Sequence, residues 1–111
     1  MNIIRNATIF LMAGFIILIA FGCKKSFVDQ MAKVEKKACA CADKGCADGA
    51  FKDLIDVYDG FIRSKANTTL PTEELTKFYV SYGKTVGCLK DRGVPFESIT
   101  AEINKVIDKY R

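Results

Sequence analysis

A chain of 111 residues with 17 Lys and Arg against 13 Asp and Glu has a formal net charge of +4, and half of it is hydrophobic. That balance is too slight, and too free of basic blocks interleaved with aromatics, to expect nucleic acid as a partner. The absence of histidine excludes His-based triads, His-ligated hydrolytic metals and haem attachment through C-x-x-C-H, and the length allows one small domain.

In chain order, the first segment does not read as part of a fold. Residues 1–6 carry Arg5 and the α-amino group, residues 7–21 are almost wholly apolar, and Gly22-Cys23 precedes polar Lys24-Lys25-Ser26. A basic head, an apolar run, a small residue and a polar break are the order of a secretion signal with a processing site. At Cys23 the segment resembles the lipobox of bacterial lipoprotein precursors, with Ala20, Phe21 and Gly22 before the cysteine. Gly22 fits that pattern, Ala20 replaces the usual leucine, and bulky Phe21 departs from it. The resemblance implies cleavage after residue 22, lipid attachment at Cys23, and a place in the bacterial cell envelope, at the periplasmic face or outer membrane. The alternative is an uncleaved N-terminal anchor, because residues 7–23 reach the lower edge of what spans a bilayer, where about 20 residues are usual. In both cases the membrane is the expected partner, through the N-terminus. A single acyl chain holds a protein only marginally, whereas the two or three chains of the resembled class make attachment lasting.

Removing residues 1–22 leaves 16 basic and 13 acidic residues, a net +3. Lys24, Lys25, Lys33, Lys36 and Lys37 cluster near the anchor. They form a solvated helix face or, alternatively, lean on anionic headgroups at about 1 kcal/mol per charge.

The remainder reads as helical. Phe27, Met31, Val34 and Ala38 recur at helical spacing, and Lys44-Gly45 is the expected break. A second helix from Cys46 carries Phe51, Leu54, Ile55, Tyr58, Phe61 and Ile62 on one stripe, with Gly49 and Gly60 weakening it. Residues 66–71 read as a turn, after which Glu73 and Glu74 suit the first turn of a third helix. Its stripe is Leu75, Phe78, Tyr79, Tyr82, Val86 and Leu89, and its Gly83 and Gly87 are expected to let a neighbouring helix approach closely. Arg92, Gly93, Val94 and Pro95 mark its end. A last helix carries Ile99, Ile103, Val106, Ile107 and Tyr110. No stretch alternates with period two, so no sheet is expected.

Cys39, Cys41, Cys46 and Cys88 remain once Cys23 is set aside, an even number suited to disulfides in an exported chain. Cys39 and Cys41 are too close to bond each other without strain. One should therefore pair with Cys46 and the other with Cys88. Cys41–Cys46 with Cys39–Cys88 is the preferred pairing, and the exchange of partners is the alternative. A hairpin of the second and third helices brings Cys46 and Cys88 to its open end, beside Cys39 and Cys41. The rival use of four converging sulfurs is a thiolate site for zinc or copper, although spacings of one and four residues are unlike the usual C-x₂₋₄-C pairs. Neither the thioredoxin-type C-x-x-C nor common iron–sulfur spacings are present. Asp53, Asp56 and Asp59 recur along the second helix and read as a charged face rather than an acid–base pair.

The C-x-C-x₄-C run with a later single cysteine is similar to that of a loose class of small predicted lipoproteins without assigned activity. That resemblance implies a helical, cysteine-stapled fold and no substrate. The expected architecture is all-α: a cleaved signal peptide (1–22), a lipidated tether (23–26) and a helical domain (27–111). The domain is expected to be a three- to four-helix bundle stapled by two disulfides. The expected role is a non-enzymatic binding or interaction module with an unidentified protein partner, without catalytic residues or cofactor. Thiolate metal binding is the alternative.

Overall fold

The computed structural model describes residues 26–111. The expected signal peptide and residues 23–25 of the tether, including Cys23, lie outside the described residues. Five helices and no strand make up the described part: α1 (Phe27–Ala40), α2 (Lys44–Arg63), α3 (Ala66–Thr69), α4 (Thr72–Asp91) and α5 (Phe96–Lys109). The all-α architecture with two disulfides is as the periodicity and cysteine count imply.

Helix α1 starts where Ser26 caps it, its side chain accepting from the Asp29 amide at 3.2 Å. Met31, Val34 and Ala38 form its buried stripe. The break between α1 and α2 falls earlier than Lys44-Gly45. Asp43 adopts an extended backbone and its carboxylate accepts from the Cys46 amide at 2.8 Å, so Lys44 and Gly45 become the first turn of α2. An aspartate cap satisfies an orphan helical donor, and that outweighs the small cost of glycine in a first turn.

Helix α2 buries Ala47, Ala50, Leu54, Tyr58 and Phe61, small residues toward its start and large ones toward its end. It stops at Lys65, which adopts the left-handed conformation at φ 62°. The expected turn then holds one helical turn, α3, with the Thr68 and Thr69 hydroxyls donating to the Lys65 carbonyl at 2.9 and 3.1 Å.

Helix α4 ends in a Schellman motif. Gly93 takes φ 95°, the Val94 amide donates to the Leu89 carbonyl at 3.0 Å, and the Gly93 amide donates to Lys90 at 3.1 Å. Val94 is itself buried, the hydrophobic contact that usually accompanies this stop. Pro95 then precedes α5, which buries Ile99, Ile103 and Val106.

Helices α1 and α4 run toward the cysteine end, and α2 and α5 run away from it. Helix α4 makes its broader interface with α1 and a narrower one with α2, so the sequence-adjacent hairpin is not the main pairing. The core at the other end is aromatic. Phe61 and Phe78 stack with centroids 3.9 Å apart, Phe27 meets Phe61 edge-on at 5.8 Å, and Tyr58 lies 5.6 Å from Tyr82. Gly60 makes room here, since a Cβ would lie 3.3 Å from the Phe27 ring and the ring would have to shift by a few tenths of an ångström.

Two details of the α4 stripe depart from the sequence pattern. Thr85 is fully buried while Val86 is only half-buried, because Thr85 shares the side of Cys88 and Leu89 that α1 covers. Its hydroxyl donates to the Ser81 carbonyl at 2.7 Å, so a polar side chain enters the core satisfied. Gly83 and Gly87 do not admit a neighbouring helix: a Cβ at either position would meet nothing within 4 Å.

Candidate functional site

All four domain cysteines meet at one end of the bundle, in two disulfides. Cys39 joins Cys88 with Cα atoms 5.0 Å apart, and Cys41 joins Cys46 with Cα atoms 5.5 Å apart. The first ties the end of α1 to the end of α4 across 49 residues. The second crosses the α1–α2 turn, a separation of five. Their environments differ. Cys41 is 4% exposed and Cys46 lies on the surface, whereas Cys39 and Cys88 are both half-buried.

Arg92 organises this end, a role the sequence reading does not assign to it. Its Nε donates to the Cys41 carbonyl at 2.8 Å and its Nη2 to the Cys39 carbonyl at 2.7 Å. A longer contact, 3.4 Å, runs from Nη1 to the Cys88 carbonyl. The last carbonyls of a helix have no intrahelical donor, and the fork of one guanidinium supplies donors to two of those ending α1. The available signal was an arginine directly before the Gly93 stop and four residues after Cys88. Lys90 lies nearby with its ammonium 5.4 Å from the centre of the exposed Phe96 ring.

The aspartates of α2 are not one solvated row. Asp53 pairs with Lys37 at 2.6 Å, tying α2 to α1. Asp59 accepts the Tyr110 hydroxyl at 3.1 Å and is flanked by Lys109 at 3.5 Å and Arg63 at 3.8 Å. The Tyr110 hydroxyl and Asp59 together hold the Lys109 ammonium above its usual pKa. Asp56 lies on a shallow open groove of about 400 Å³ between α2 and α5, beside Phe51, Ile55 and Glu102. The other shifted groups are tyrosines of the aromatic core. Burial, with the neighbouring Tyr79 and Tyr82, pushes Tyr58 up to about 12, and burial also raises Tyr82.

Among the described residues, no group of three or more His, Cys, Asp or Glu is arranged to hold a metal ion. In this arrangement each domain cysteine sulfur is committed to a covalent bond to another. No described helix is long and apolar enough to cross a membrane. The chain matches no protein-family model, no curated protein and no solved structure.

Proposed function

We propose that this is a lipid-anchored, non-enzymatic protein of the bacterial cell envelope, attached through Cys23, whose helical domain is a binding or interaction module. The observation that carries the reading is the spacing between Cys23 and the first helical cap. Ser26 caps α1 only three residues after Cys23, so the tether reaches at most about 11 Å at full extension. An acylated Cys23 therefore holds the start of α1 next to the membrane. The disulfide end stands one helix length away, about 21 Å for fourteen residues. The domain suits an exposed, surface-bound life. Two disulfides make up for a small core, and the grooves are open rather than enclosed.

The test is the intact mass of the protein from native membranes, with and without reduction and alkylation. Residues 23–111 plus acyl groups, less four hydrogens, with alkylation only after reduction, is the expected result. An unprocessed chain with five alkylatable thiols, Cys23 among them, would overturn the reading and make a zinc or copper thiolate site the leading one. A Cys23→Ser variant recovered in the membrane fraction as fully as the unaltered chain would also count against lipid attachment.

A further inference from the structure

The structure assigns Cys41–Cys46 a second role: it is a thiol–disulfide exchange site, at which an external thiolate forms a mixed disulfide with Cys46 while Cys39–Cys88 stays closed. The ligand class is a thiolate, from a small-molecule thiol or from a cysteine of another polypeptide.

Access sets the direction of attack. A thiolate approaches a disulfide sulfur from the side opposite the sulfur that leaves, and the outcome depends on which sulfur it can reach. Cys46 lies on the surface, and its neighbours at 42–45 are exposed as well. Cys41, at 4% exposed, packs within the core. Attack at Cys46 with departure of Cys41 is therefore the open route. Cys39 and Cys88 are each half-buried, so neither is as accessible as Cys46.

The step balances within the groups named. The incoming sulfur bonds to Cys46 Sγ, the Cys41–Cys46 bond breaks, and the electron pair leaves with Cys41 as a thiolate. The attacking sulfur is oxidised and Cys41 is reduced. Cys41 then takes a proton from water, and the Lys37 carbonyl, 3.1 Å from its sulfur, is placed to accept a hydrogen bond from the resulting thiol. Asp43 holds the Cys46 amide at 2.8 Å and puts a negative charge beside Cys46. The approaching anion meets Asp43 and Lys44, one charge of each sign, so the approach is not barred.

Opening this bond leaves the turn held by other means. The Asp43 cap and the two short Arg92 bonds to the Cys39 and Cys41 carbonyls do not involve the sulfurs. Cys39–Cys88 closes a much longer loop, joining segments 49 residues apart. An adduct on Cys46 projects into solvent and displaces nothing from the core.

The test uses the full chain, oxidised, under native conditions, with glutathione as the probe thiol and alkylation followed by peptide mapping. The expected product carries glutathione on Cys46 and an alkyl group on Cys41, with Cys39–Cys88 intact and opening at least about tenfold more slowly. The opening rate of Cys41–Cys46 should be flat with denaturant below the unfolding transition, whereas that of Cys39–Cys88 should rise with it. Adducts on Cys41, Cys39 or Cys88, or both disulfides opening only with unfolding, would overturn the assignment. A peptide cysteine run in parallel separates the two thiol sources: faster reaction than glutathione at equal thiolate concentration indicates a polypeptide, and slower reaction a small molecule.

Discussion

Replacing Cys39 and Cys88 together by alanine should cost far more stability than replacing Cys41 and Cys46. The chain-entropy account makes the cost rise with the loop each bond closes. For the separation of 49 it amounts to about 4 kcal/mol, and for the separation of five about 2 kcal/mol. Small domains are stable by about 5–15 kcal/mol in all, so the first change removes a large share. Within the short loop the Asp43 cap also holds the turn, whereas across the long loop the two Arg92 bonds recover part of what the disulfide supplies. Urea unfolding of the two double variants beside the oxidised parent measures the difference as a shift in midpoint. Equal losses, or a greater loss for the Cys41–Cys46 pair, would refute this division of roles.

Three further outcomes follow from the same contacts. Arg92→Ala should cost about 2–4 kcal/mol by thermal or urea unfolding, because two charge-assisted bonds of 2.7 and 2.8 Å are lost together; Arg92→Lys should restore only part of it. Gly83→Ala should raise stability by roughly 0.5–1 kcal/mol, since a Cβ there meets open space in a helix interior, while Gly60→Ala should lower it by crowding the Phe27 ring. Tyr58 stays protonated to a higher pH when folded than when unfolded, so its contribution is complete below about pH 10 and is lost as pH rises toward 12. Melting curves from pH 9 to 12 should therefore fall less steeply for Tyr58→Phe than for the parent.

Much of the fold could be read from local pattern. The stripe Phe27, Met31, Val34, Ala38 defines α1, and Arg92-Gly93-Val94-Pro95 marks the end of α4, because helical periodicity and a left-handed glycine stop are properties of neighbouring residues. The start of α2 was less legible. Gly45 and Asp43 send opposite signals, and only the hydrogen bond from the Cys46 amide decides between them. Gly83 and Gly87 illustrate a different gap: spacing places two glycines on one helix but says nothing about which side is covered.

Composition and spacing alone determined an all-α domain with four cysteines at one end. These follow from local hydrophobic period, turn residues and loop lengths, which do not need a partner across the fold. Tertiary structure alone decided that α1 rather than α2 is the broader partner of α4, and that Thr85 rather than Val86 fills the contact between them. It also decided that Cys46 lies outside while Cys41 lies within, and that Arg92 reaches carbonyls 51 and 53 residues earlier in the chain. The physical reason is the same in each case. Burial and long-range hydrogen bonds are set by which faces meet when helices pack, and a helix's own sequence leaves that choice open.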